Sequence, residues 1–177
     1  LRPSNIDGCK HTRAILKLLT QKMQAAWPNV KITIRADSGF CRWRLLRWCD
    51  SHGIGYVIGI GGNPVLKKMA VGLIEDAERL FDKTQTKQRL FSTVYCGAGK
   101  WDRKRRVIVK AEHTEKGSNP RFVVTNVPGD AEYLYDEIYC QRGEMENRIK
   151  EQQLGLFADR TSCKRFLANQ FRVLLSA

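Results

Sequence analysis

Val30-Lys31-Ile32-Thr33-Ile34-Arg35-Ala36-Asp37-Ser38-Gly39-Phe40 alternates apolar and polar side chains and then breaks at Asp37-Ser38-Gly39. A period of two is that of a strand with one covered face. Arg42–His52 follows with a helical pattern that Gly53 stops, and Ile54–Ile60 is a nearly continuous apolar run. Such a run fits a central strand covered on both faces. Strand, helix and strand with short links specify an α/β sheet containing a right-handed crossover. Asp37 then stands at the C-terminal end of a strand, where open α/β sheets place their ligand sites. Gly39 lets the chain turn sharply there. An Asp after a strand is more commonly a helix cap or turn residue, and that alternative stays open.

Upstream, Pro3–Gly8 reads as a loop or strand end, with Asp7 or Thr12 able to cap a helix over Arg13–Trp27. Ile15, Leu16, Leu18, Leu19 and Met23 recur in it at helical spacing, and Pro28-Asn29 ends it. Downstream the character changes after Gly61-Gly62-Asn63-Pro64. Val65–Phe81 reads as a helix, and Arg89–Cys96, Arg105–Glu112 and Phe122–Val127 read as consecutive strands. Strands without intervening helices suggest an antiparallel insertion with a basic hairpin turn. After Pro128-Gly129, Asp130–Leu154 reads as one long helix with Asp130, Glu132, Asp136 and Glu137 near its positive end. Cys163–Leu175 is the last helix, with Phe166, Leu167, Phe171 and Leu174 on its apolar face. The pattern divides the chain into residues 1–62 and 130–177 with a strand-rich segment, 63–129, between them.

The chain has 177 residues, 31 Lys plus Arg against 18 Asp plus Glu, a net charge of +13 and 42% hydrophobic residues. That composition is globular, so disorder does not explain the charge. No apolar stretch approaches the ~20 residues needed to cross a bilayer, and no membrane partner is expected. No signal peptide is legible at the start. The first residue is Leu, so the chain reads as a piece of a longer protein. The six cysteines include no CxxC pair, and Cys9-x-His11 is the nearest approach to a zinc motif. They read as free thiols of a reducing cytoplasm. The charge favours a polyanion, and nucleic acid is the commonest one. Candidate contacts are Arg42, Arg44 and Arg47, and the run Lys100, Trp101, Arg103, Lys104, Arg105 and Arg106. The three arginines also read as a solvated helix face. Trp101 reads either as packing of the hairpin's own strands or as a platform for a base.

A second chemical stretch is Tyr139-Cys140-Gln141-Arg142-Gly143-Glu144-Met145-Glu146-Asn147-Arg148. At ~100° per residue, Tyr139, Arg142, Glu146 and Gln153 fall on one helical stripe, while Glu144 lies ~200° from Glu146. The bland alternative is a solvated helix with Arg142 and Glu146 as an i,i+4 ion pair.

Tyr139-x2-Arg142-x3-Glu146 resembles the tyrosine–arginine–glutamate signature of DDE transposases from bacterial insertion sequences. Leu1-Arg2-Pro3-Ser4-Asn5, Ile34-Arg35-Ala36-Asp37-Ser38-Gly39-Phe40 and Arg142–Glu151 together resemble the group 1 transposase DDE domain, the group of the thirteen-eighty insertion-sequence family. The resemblance covers nearly the whole chain. It implies a ribonuclease H-like α/β fold with a β-rich insertion between the second and third acidic residues. It makes Asp37 the second and Glu146 the third catalytic, metal-binding acid, with Tyr139, Arg142 and Lys150 in support. Related signatures carry a lysine seven residues after the glutamate, where this chain has Gln153. The family's first aspartate lies on a strand before the Leu-Arg-Pro-Ser-Asn segment, so this chain is expected to lack it. The implied cofactor is Mg²⁺ or Mn²⁺, two ions only with that first Asp, cutting and joining double-stranded DNA at element ends and target. A bacterial, cytoplasmic, DNA-associated protein follows, with a homodimer on DNA in view and this fragment incompetent alone. The rival readings are a non-catalytic DNA-binding remnant of a transposase and an RNA-binding or regulatory protein.

Overall fold

The computed structural model describes residues 6–7, 9–155 and 162–175. The Leu1-Arg2-Pro3-Ser4-Asn5 motif and part of the Pro3–Gly8 loop lie outside the described residues. The chain divides into two compact units, Gly8–Cys140 and a second formed by Gln141–Ala177 with Leu1–Asp7.

The larger unit runs α1 (Thr12–Ala26), β1 (Thr33–Ala36), a 3-10 turn (Ser38–Phe40), α2 (Trp43–Ser51) and β2 (Gly55–Ile60). It continues with α3 (Pro64–Met69), α4 (Val71–Thr84), β3 (Gln88–Cys96), β4 (Arg105–Thr114), β5 (Gly117–Ser118) and β6 (Arg121–Thr125). The short α5 (Ala131–Tyr133) leads into a π-helical segment, Leu134–Cys140. The second unit holds α6 (Arg142–Gly155) and α7 (Phe166–Leu175).

One mixed sheet of six strands organises the larger unit, in the order β1-β2-β6-β4-β3, with β5 paired to β4. β1 and β2 are parallel, from Thr33 opposite Gly55 to Ala36 opposite Ile58, as expected of strands joined through a helix. All other pairs are antiparallel. The strands of 88–125 therefore join the β1–α2–β2 motif in a single sheet, through β6 beside β2. The fold class is mixed α/β.

Period-two alternation sorts the sheet's side chains onto two cores. Tyr56, Ile58, Val107, Val109, Phe122 and Val124 meet Leu45, Leu46, Trp48 and Cys49 of α2 and Leu66 of α3 on one face. Their neighbours Val57, Ile108 and Val123 meet Leu134 and Tyr135 on the other. β2 lies between two strands and under both layers, which is why Ile54–Ile60 carries so little polar character.

Two expectations from periodicity need correction. The helix expected over 65–81 is two helices meeting at Ala70, with Asn63 Oδ1 capping α3 by accepting from Leu66 N–H at 2.9 Å. The long helix expected over 130–154 is α5, the π-helical segment and α6, with Gln141 in the turn between the last two. An i→i+5 stretch turns through fewer degrees per residue than an α-helix, so no single 100° wheel runs through it. α1 and α7 are helical where expected; Leu16 of α1 packs partly buried against the core, while most of both apolar stripes stays uncovered among the described residues. Ile15, Leu18, Leu19, Met23 and Trp27 remain exposed, as do Phe166, Leu167, Phe171 and Leu174. Periodicity gives a helix its apolar face but does not say what covers it.

A charged cluster on β4 gives the fold an acid sensitivity. Glu112 accepts from Lys110 at 2.8 Å and Lys87 at 2.9 Å. Burial acts to raise its pKa, but the two ammonium groups outweigh it and hold the carboxyl down at about 2. A depressed carboxylate stabilises the fold fully above its unfolded pKa and loses that contribution as pH falls towards the folded value. Urea unfolding should therefore show stability dropping by about 2 kcal/mol between about pH 5 and pH 2, with Glu112→Gln flattening that slope.

Candidate active site and basic surface

β1 delivers Asp37 at its C-terminal end, the first residue of a tight turn. Gly39 N–H donates to Asp37 Oδ1 at 2.9 Å, so one carboxylate oxygen shapes the turn. The residue is half-buried and keeps its second oxygen for another partner. Turn residue and ligand are compatible roles here.

The neighbouring strand explains how Tyr139 approaches that turn. A Cβ on Gly59 of β2 would come within 2.5 Å of the Tyr139 hydroxyl oxygen and 3.2 Å of Ser38 N. The missing side chain thus leaves the space beside β2 that the Tyr139 hydroxyl occupies, with Ser38 N bordering the same space. Arg35 of β1 donates from Nη1 to Ile138 O at 3.0 Å and ties the π-helical segment to the same strand end. Tyr139 stacks obliquely on Tyr135, ring centroids 5.5 Å apart, and Tyr135 on Phe91 at 5.6 Å. Burial pushes the Tyr135 hydroxyl up to about 12, so it stays protonated in any working range.

Arg142 and Glu146 form the i,i+4 ion pair anticipated from their spacing, both on α6. Glu144 faces elsewhere, 3.7 Å from Arg148, which also meets Glu151 at 3.1 Å. Lys150 is exposed, and no residue of α6 is buried. A helix polar all round is held by such i,i+4 and i,i+3 pairs. A π-helical segment and a turn at Gln141 stand between Tyr139 and Arg142 in the chain. Asp37 and Tyr139 belong to the larger unit, and Arg142, Glu146 and Lys150 to the other. Among the described residues no cluster of three or more His, Cys, Asp or Glu gathers as a metal site.

The basic hairpin is real, with Cys96 opposite Arg105 where β3 turns into β4. Its cations are not equivalent. Arg105 is only 3% exposed. It meets Asp50 and Asp102, each at 2.8 Å, and its Nε donates to the Tyr56 hydroxyl at 3.2 Å. Arg106 donates to the carbonyls of Val127 at 3.2 Å and Gly129 at 2.8 Å. Trp101 packs partly buried against the core with the Arg105 guanidinium 5.4 Å from its ring centre. Arg105, expected at a DNA surface, instead holds the hairpin to the body, because a desolvated guanidinium needs partners that only the protein provides at that depth; Arg106 is partly exposed and tied to backbone carbonyls, and Trp101 takes the packing alternative. Lys100, Arg103 and Lys104 are exposed, Arg103 resting 2.7 Å from Asp50. Arg42, Arg44 and Arg47 are exposed around α2.

The family model for transposase DDE domain group 1 matches residues 1–177. The chain belongs to that family. A search of curated proteins found no match. Membership gives the chain a transposase-related function and makes it a relative of polynucleotidyl transferases, with DNA as the partner class. No described helix of this transposase domain is long and apolar enough to cross a membrane.

Sequence reasoning passed over Gly59, Arg35 and Asp50. For Gly59 a signal existed, since an isolated glycine inside an apolar strand often marks a close approach. Two outcomes follow for the transposase domain. Gly59→Ala should destabilise it by about 1–3 kcal/mol, the range for forced overpacking, and adding Tyr139→Phe should recover part of that loss in chemical denaturation. Asp50→Ala, which leaves Arg105 with the more exposed Asp102, should cost about 3 kcal/mol by the same measurement.

Proposed function

We propose that this chain is the greater part of a DDE transposase catalytic domain, of the thirteen-eighty insertion-sequence type, that cleaves DNA strands and transfers them during transposition. The observation that carries the reading is the family match over 1–177 together with Asp37 at the end of β1 and Glu146 in the signature helix. In this reading the fold is ribonuclease H-like, with 1–62 and 130–177 as core segments and 63–129 as the β-rich insertion between the second and third acids. The strand-rich stretch 88–125 supports it.

Asp37 and Glu146 are hard oxygen donors of the kind Mg²⁺ or Mn²⁺ takes, one carboxylate each. Asp37 offers the oxygen not engaged by Gly39, and Glu146 leaves Arg142 to bind. Two bound ions would activate a water or 3′-hydroxyl and stabilise the leaving 3′-oxygen. The rest of the work falls to protein groups. Tyr139, at the Asp37 turn, positions that turn or donates to a phosphate oxygen. Arg142 orients Glu146 or contacts a phosphate, and Lys150 adds a cation on the same helix. Completing a two-metal site takes a third carboxylate, which we place on a strand paired to the outer edge of β1. Among the described residues no strand covers that edge, since β1 is at the end of the sheet order. Double-stranded DNA, both element ends and target, would lie along Arg42, Arg44 and Arg47 and the exposed hairpin cations Lys100, Arg103 and Lys104. A homodimer bridging two ends and a cytoplasmic, DNA-associated location in a bacterial cell complete the proposal.

The test is a cleavage assay with the element's ends. The 177-residue chain alone should bind duplex DNA but neither nick nor join it. Supplying the upstream strand with its aspartate should restore metal-dependent cleavage. In that completed protein Asp37→Ala or Glu146→Ala should abolish cleavage with DNA affinity nearly unchanged, and Glu144→Ala should remain active. Full activity of Glu146→Ala, or loss confined to Glu144→Ala, refutes the assignment of the third acid.

A further inference from the structure

The cations of the larger unit divide into those the fold neutralises and those it does not. Around the hairpin, Arg103 and Arg105 have Asp50 and Asp102, and Arg106 has two backbone carbonyls. Between α1 and α2 the opposite arrangement holds. A cleft of about 270 Å³ is lined by Arg13, Arg44, Arg47, Trp43, Trp48 and Ser51. It contains three guanidiniums and no carboxylate. None of the three arginines forms an ion pair with a described acidic residue. All three are exposed, and Arg44 lies 5.3 Å from the centre of the Trp43 ring, which limits where its guanidinium can go.

Like charges collected around one concavity repel, and the partly exposed Trp43 ring adds an apolar wall beside them. The gain on admitting an anion is correspondingly larger there than at isolated surface arginines. Guanidinium is also the group whose planar fork best matches phosphate. We propose that the α1–α2 cleft is a docking site for the phosphodiester backbone of duplex DNA, with Arg13, Arg44 and Arg47 as its three phosphate contacts, and that it outweighs the hairpin in DNA affinity. The inference rests on the transposase reading for its choice of DNA. It adds Arg13, a residue of a different helix, and it makes Arg44 and Arg47 walls of a shared site. Trp48 is buried and supports the floor of the cleft through α2, whereas Trp43 is partly exposed at its side. Each contacted phosphate releases condensed counterions, so three contacts should account for ~2.7 units of the slope of log K against log salt.

The experiment titrates the full chain with a duplex of arbitrary sequence from about 50 to 200 mM salt, alongside three variants and a separate titration with inorganic phosphate. Arg13→Gln/Arg44→Gln/Arg47→Gln should lose about 2–3 units of slope and at least tenfold in affinity near 0.1 M salt. The corresponding triple Lys variant should retain most of the slope, because it keeps the charges, and this separates charge from misfolding. Lys100→Gln/Lys104→Gln should lose less than the triple Gln variant. An unchanged slope in the triple Gln variant, with the loss appearing in the hairpin variant, overturns the inference and leaves the transposase reading intact. Saturable binding of inorganic phosphate that the triple Gln variant abolishes, without any change in duplex affinity, overturns it in favour of a free-anion site. Failure of the unmodified chain to bind duplex at low salt removes the transposase reading along with it.

Discussion

A guanidinium taken out of water must have an anion beside it, and the Arg105–Asp50 contact meets that requirement at the junction of several elements. Arg105 opens β4, and Asp50 sits in the last turn of α2. Asp50 also receives Asn126 Nδ2 at 3.2 Å, while the same amide donates to Ile54 O at 3.0 Å and accepts from Tyr56 N–H at 2.8 Å. One carboxylate therefore connects the helix of the β1–α2–β2 motif, the basic hairpin and the ends of two central strands. Breaking a pair at this depth leaves a charge without compensation, so the contact constrains geometry more than it adds net stability. The registers of β2, β4 and β6 are all referred to it. Placement of Asp37 relies on that frame, because among the described residues β1 pairs with β2 alone.

On the opposite face the controlling feature is an absence of volume. Gly59 leaves room for the Tyr139 hydroxyl against the Asp37-Ser38 backbone, and Arg35 fixes the carbonyl next to Tyr139. Signature tyrosine and the strand-end turn thereby border one space within one unit, although the whole β-rich stretch separates them in sequence. The π-helical segment is part of this arrangement. Its wider turn means that the ~100° spacing of an α-helix does not apply through Leu134–Cys140.

Much of this architecture could be read directly from residue pattern. Alternation over 30–36, the apolar run at 54–60 and the helix between them specified the parallel pair, and the charged turn at 97–104 specified the hairpin. What pattern could not supply was the partner of each side chain. Arg105 looks identical to Arg106 and Lys104 in a basic run, yet depth and the position of Asp50 decide that Arg105 faces inward. The stripe through Tyr139, Arg142 and Glu146 assumed one helical period across a segment that has two. Ile15, Leu18 and Leu19 recur as core residues do, yet amphipathicity is local while burial depends on what the tertiary structure brings to that face. Asp37 was legible because its position at a strand end is a consequence of topology rather than of packing.

The outer edge of β1 has a further consequence. An unpaired strand edge presents backbone donors and acceptors to any extended chain, and proteins commonly blunt such edges with brevity and charge. β1 spans only four residues, with Thr33 and Arg35 outward and Ile34 and Ala36 partly covered, and Lys31 stands just before it. Those features discourage indiscriminate self-association of identical edges, since two copies would bring like charges together. They do not discourage an acidic or neutral strand of matching register. Among the described residues that edge is therefore selective by charge, favouring an acidic or neutral strand over an identical copy of itself.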